Sequence, residues 1–176
     1  SVNISSELIN LRSYRLERVR QKLTEFDMAG IVLFDPVNIR YATGSSNMQV
    51  WTLHNPSRYA LVMAEGPVIL FDYHAARHLV EGLESLDEYR NAISWFYFNN
   101  GPRVEEMAKR WADEIADLVK QYGGGNHRLA ADRIDPAGVA ALDRLGVSTH
   151  EGQNIMEQAR MIKSSDELNM IRESIR

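Results

Sequence analysis

Gly30-Ile31-Val32-Leu33-Phe34-Asp35-Pro36 lies between a helical pattern and a long polar connection. Ile31 to Phe34 are apolar without alternation, as in a strand buried on both faces. Asp35-Pro36 ends that strand, because proline has no N–H to give a sheet ladder. Upstream, Leu16, Val19, Leu23 and Phe26 recur at helical spacing among charged residues and predict an amphipathic helix over 11–27. A helix leading into a doubly buried strand is the start of a layered α/β arrangement.

The rest of the chain agrees. Tyr59–Met63 and Val68–Phe71 flank Ala64-Glu65-Gly66-Pro67, which reads as two strands joined by a tight turn. Residues 74–83 read as a short helix, and Ile93 to Phe98, aromatic and β-rich, as a strand. Val104, Met107, Trp111, Ile115, Leu118 and Tyr122 form one helical stripe stopped by Gly123-Gly124-Gly125. A strand over 128–131, a helix from Asp135-Pro136 to about 144 and a strand over 147–150 follow. The expected fold is α/β, with a mixed sheet of about six strands flanked by helices.

The length of 176 residues suits one domain with a core of its own. Apolar residues make up 44% and charged residues 25%, the globular range, and the net charge of -4 gives no reason to expect a nucleic-acid surface. Cysteine is absent, which removes disulfides, thiolate metal sites and cysteine nucleophiles and suits a cytoplasmic protein. No apolar run reaches the roughly 20 residues that span a bilayer, so no membrane partner is expected.

A search for chemistry finds no complete site. His74 and His78 stand at i, i+4 and could share a metal, but Ala75 breaks the H-E-x-x-H pattern, and solvated surface histidines are the preferred reading. Asp132 and Asp135 flank a strand-to-helix turn, where Asp135 before Pro136 reads as a helix cap. The glycine run at 123–125 follows a helix and precedes a strand, the reverse of a phosphate loop. The connection from Val37 to Arg58 does stand out. Met48, Trp51, His54 and Arg58 offer an apolar contact, an aromatic face, a titratable ring and a fixed cation. Equally, Trp51 could cap the core while Asn38 and Asn47 hold turns. Ser164 and Glu167 then form a capping box, and Leu168, Ile171 and Ile175 begin a stripe that meets no stop signal before Arg176. That pattern predicts a chain cut from a larger protein partway along a helix.

Phe34-Asp35-Pro36-Val37-Asn38-Ile39-Arg40-Tyr41-Ala42-Thr43-Gly44 resembles the signature opening the N-terminal domain of creatinase and of prolidase-type, Xaa-Pro-cleaving metallopeptidases. Its signature positions are Asp35, Pro36, Asn38, Arg40, Tyr41 and Gly44. Arg160-Met161-Ile162-Lys163-Ser164-Ser165-Asp166-Glu167-Leu168 resembles the stretch by which those two-domain "pita-bread" enzymes pass into their catalytic domain. Asn47–Trp51, His54-Asn55-Pro56 and Asp72-Tyr73 are most similar to the branch that includes the dimethylsulfoniopropionate lyases of marine bacteria.

The resemblance implies a creatinase-like N-terminal domain of three layers over 1–160, and over 161–176 a linker and the first helix of a catalytic domain. It implies no catalytic residue and no metal in this fragment. A metallopeptidase-type parent would hold two divalent metal ions in its other domain, and a creatinase-type parent none. The implied partners are that catalytic domain, a second copy in a homodimer, and a small-molecule or short-peptide substrate. Met48, Trp51, His54 and Arg58 would then shape substrate access. Three rival readings remain: a stand-alone interaction or regulatory module without a working metal site, the N-terminal domain of a dimethylsulfoniopropionate lyase, and a small-molecule sensor built on the Trp51 loop.

Overall fold

The structure is a computed structural model that describes residues 2–44, 58–72, 86–93, 95, 102–161 and 165–175. The chain runs α1 (Val2–Glu25), β1 (Gly30–Leu33), α2 (Pro36–Thr43), β2 (Tyr59–Met63), β3 (Val68–Asp72) and β4 (Glu88–Asn91). It continues through α3 (Pro102–Tyr122), β5 (Arg128–Ala131), α4 (Pro136–Arg144), β6 (Ser148–Glu151), α5 (Gln153–Met161) and α6 (Ser165–Ser174). The strands form one mixed sheet in the order β4-β3-β2-β1-β5-β6. Pairing is antiparallel at β1–β2 and β2–β3 and parallel elsewhere, so β2 alone among the described strands opposes the rest.

Strand periodicity sorts the core into two faces. Val32, Tyr59, Leu61, Met63 and Phe71 face α3 and α4, where Trp111, Ile115 and Leu142 meet them. Ile31, Leu33, Ala60, Val62 and Leu70 face the other way, against Val19 and Leu23 of α1, Ile39 of α2 and Ile155 and Met156 of α5. The three-layer α/β arrangement with a six-stranded mixed sheet is therefore the one expected. All residues of β1, β2 and β3 are buried, which explains their unbroken apolar runs.

The structure corrects the sequence reading in three places. The connection after Asp35-Pro36 begins as a helix, not a loop. Asp35 is its N-cap, accepting a bond of 2.9 Å from the N–H of Val37, and Pro36 opens the first turn. Gly44 ends α2 in the left-handed region at φ 75, with its N–H returned to the carbonyl of Arg40. The same Asp-Pro pair that stops a strand thus starts a helix.

An edge strand that the sequence pattern did not mark, β4, lies at Glu88–Asn91, while of the strand expected at Ile93 to Phe98 only Ile93 and Trp95 are described, neither of them in a strand, and the rest lies outside the described residues. Charged residues suit this edge position. Ile93 and Trp95 follow β4 and pack against the core facing α3 and α4, which is why their run looked like a strand. Finally, α5 occupies residues to which the sequence pattern assigns no element. The carboxylate of Glu151 caps it by accepting from the N–H groups of Gln153 and Asn154. The helix expected over 74–83 lies outside the described residues. No helix among the described residues is long and apolar enough to cross a membrane.

The β6–α5 junction is close-packed. A Cβ on Gly152 would lie 2.8–2.9 Å from the backbone of Ala131, which cannot move aside as a flexible side chain can. Gly152→Ala is expected to lower stability by about 1–3 kcal/mol, read from the urea midpoint at unchanged m-value.

Candidate functional site

With β2 opposed to the rest, one edge of the sheet gathers the ends of β1, β3, β4, β5 and β6 and the start of β2. In open α/β sheets ligands bind at this carboxyl edge, where the strand order reverses. Here the reversal falls between β1 and β5, and Asp132 fills it. Its Oδ1 accepts from the N–H of Phe34 at 2.8 Å, and its Oδ2 from the N–H of Asp35 at 3.0 Å. Oδ2 also accepts from Asn38 Nδ2 at 2.9 Å. Asn38, fully buried, donates on to Gln153 Oε1 at 2.9 Å and accepts from Arg160 Nη1. The exits of β1 and β5 are thereby tied at one point to α2 and α5. Burial pushes the Asp132 carboxyl above the usual aspartate range, against the pull of its three N–H partners.

The signature residues have structural positions. Asp35 and Pro36 open α2, Asn38 links Asp132 to Gln153 and Arg160, and Gly44 closes the helix. A Cβ on Gly44 would also collide with Arg12 at 2.7 Å. Arg40 is exposed in the last turn, where a cation suits the helix dipole. Tyr41 donates its hydroxyl to the carbonyl of Ala159 at 3.0 Å, joining α2 to α5, and burial raises its pKa to about 12.

Of the proposed access residues, Met48, Trp51 and His54 lie outside the described residues, as do His74 and His78. Arg58 stands at the start of β2, and its Nε lies 3.1 Å from Oδ2 of Asp72 at the end of β3. Desolvation lowers the guanidinium's pKa while Asp72 opposes the shift. The pair anchors the return of segment 45–57 to the departure of segment 73–85. Its side chains are only 14% and 12% exposed, so removing one partner costs on the order of 3–5 kcal/mol. The Arg110–Glu106 pair, 63% and 57% exposed, is worth about 1 kcal/mol at most.

These groups do not fit a metal. Asp132 faces N–H donors, Asp35 caps a helix and Asp72 faces a guanidinium. Among the described residues no group of three or more histidines or carboxylates could hold an ion. Asp135 occupies the N-cap position of α4 but makes no side-chain cap bond. The sequence reading named Asp132 only beside Asp135 at a strand-to-helix turn and did not single out Gln153. The available signal was a lone carboxylate ending the apolar run Leu129-Ala130-Ala131.

The profile of the Creatinase/Prolidase N-terminal domain matches residues 15–162, from α1 to just past α5. The chain belongs to the creatinase/prolidase N-terminal domain family. It is 39% identical over 166 residues to the dimethylsulfoniopropionate lyase DddP of Roseovarius nubinhibens, a match covering 94% of this chain and 37% of that protein. With DddP of Roseobacter denitrificans the identity is 36% over the same shares. The chain therefore spans little more than a third of these relatives, whose branch is the one its loop resembles. An Xaa-Pro aminopeptidase structure from Streptococcus pyogenes shares the fold with a TM-score of 0.58 at 16% identity, over 86% of this chain and 98% of that one. The N-terminal domain of Xaa-Pro dipeptidase from Lactobacillus brevis matches with a TM-score of 0.54 at 17% identity, over 81% and 98%.

Asp132→Asn would set an amide donor against a backbone N–H. The expected loss is about 1–3 kcal/mol at pH 7 by urea denaturation, with the far-ultraviolet spectrum kept. Unchanged stability would remove Asp132 as the hub.

Proposed function

We propose that this chain is the non-catalytic N-terminal domain of a dimeric, metal-dependent enzyme of the creatinase/Xaa-Pro peptidase family, working in the cytoplasm. It contributes to dimerisation and to substrate access. The observation that carries the reading is the inward commitment of the carboxyl edge. Asp132, Asn38 and the Arg58–Asp72 pair bond to the domain's own backbone and side chains. Segment 45–57 follows the C-cap of α2 and precedes β2, and it is the candidate for substrate access in this proposal.

Residues 161–176 begin the passage to the catalytic domain in this proposal. The exposure of Leu168 (39%) on α6 and of Ile175 (79%) just past its end supports a partner there. Any metal ions belong to that other domain, whose chemistry would be the metal-assisted polarisation or hydrolysis of a small molecule or short peptide. Within the access segment, Trp51 suits a cationic or apolar group, and Met48 and His54 are the further candidates for contact with it. Arg58 is a root of the segment, held by Asp72.

A second reading has a specific observation behind it. Similarity to two DddP proteins at 39% and 36% identity supports dimethylsulfoniopropionate as a candidate substrate of the parent, beside Xaa-Pro peptides. Assay of the full-length enzyme on dimethylsulfoniopropionate and on Xaa-Pro dipeptides separates the two.

The purified 176-residue chain, supplied with manganese, cobalt or zinc, is expected to turn over neither substrate. Metal-dependent turnover by the chain alone would overturn the proposal. In the full-length enzyme, Trp51→Ala is expected to lower kcat/KM at least about tenfold with Tm nearly unchanged. A fall in Tm with kinetics intact would make Trp51 a packing residue only.

A further inference from the structure

On the sheet face opposite α3 and α4, α1 packs against α2, α5 and α6. At their meeting point lies Arg15 of α1. Its guanidinium carbon sits 5.4 Å from the centre of the Tyr41 ring, and its Nε lies 3.5 Å from Oε1 of Glu167 on α6. Glu167 is 1% exposed and Tyr41 9%, while the Arg15 side chain keeps 28% of its exposure, so the ion pair and the cation–π contact are partly shielded from water and strengthened by it. Glu167 thus faces α1 across the packing interface, and the capping partner suggested for it, Ser164, lies outside the described residues. Tyr41 in turn donates to Ala159 of α5. A planar guanidinium is needed to serve a carboxylate at its edge and a ring at its face together.

We infer that Arg15 is a positioning residue that couples α2 to α6, so that the helix leading to segment 45–57 and the helix following residues 162–164 loosen or tighten together. Displacing α6 takes Glu167 from Arg15 and frees the guanidinium to leave Tyr41. That weakens the hold of α2 on α5. The consequence for catalysis rests on the function proposed above: the seating of the second domain on α6 would be felt at the access segment. The coupling itself belongs to this chain and is measured without the second domain. Its failure would leave the proposed function standing.

Native-state hydrogen exchange on the 176-residue chain tests it. Glu167→Gln keeps the shape of the side chain and removes its charge. Exchange is expected to rise about tenfold or more at α6 amides and also at the α2 amides of Ile39 to Thr43, while Ile31 and Leu61 in the sheet change less than about twofold. Faster exchange in α6 alone, equal acceleration everywhere, or no change would each overturn the inference. Arg15→Lys keeps the charge and loses the planar face, and it decides the matter should the first variant not fold. It is expected to speed exchange in α2 relative to the sheet, and α2 exchange at the wild-type rate would overturn the coupling.

Discussion

The carboxylate of Asp132 sits where β1 and β5 part, and the rest of the edge is arranged around it. It accepts the N–H groups of Phe34 and Asp35, which lie just past the end of β1. An unsatisfied N–H there would cost about 1–3 kcal/mol, a large share of the stability of a domain this size. Asn38 extends the bond to Gln153 and Arg160, so that the exit of β1, the start of α2 and the body of α5 have one relative placement. Where other open α/β sheets leave a crevice for a ligand, this one places its own side chains.

That choice gives the family signature a physical meaning. Asp35, Pro36 and Gly44 define the ends of an eight-residue helix, and Asn38 and Tyr41 bind it to the sheet edge and to α5. Such a short helix has little stability of its own and takes its position from these tertiary bonds. Segment 45–57 therefore leaves from a fixed point and returns through Arg58, itself held by Asp72. Asp35, Pro36, Asn38, Tyr41 and Gly44 thus set where α2 begins, how it lies against the sheet edge and α5, and where it ends.

Much of the architecture was legible because burial writes it plainly. The unbroken apolar runs of β1, β2 and β3 and the stripe of α3 leave few alternatives. The misreadings arose where one residue pattern serves two ends. Asp-Pro stops a strand and caps a helix, and both happen here within two residues. Ile93 and Trp95 have strand composition yet serve as core plugs after an edge strand made of Glu88 to Asn91. The site was less legible than the fold. Asp132, Asn38, Gln153 and Arg160 come together across more than ninety residues of chain, and no local spacing marks them. Glu167 was visible as a capping residue, but its partner Arg15 lies 152 positions away.

The central claim is that this domain mounts the access segment and leaves the chemistry to another domain. Steady-state kinetics of the full-length enzyme after exchange of residues 45–57 for the equivalent segment of an Xaa-Pro dipeptidase tests it most directly. The account predicts an altered ratio of kcat/KM between dimethylsulfoniopropionate and Xaa-Pro dipeptides, with metal content and Tm preserved. An unchanged ratio, or loss of bound metal with the exchange, would contradict it.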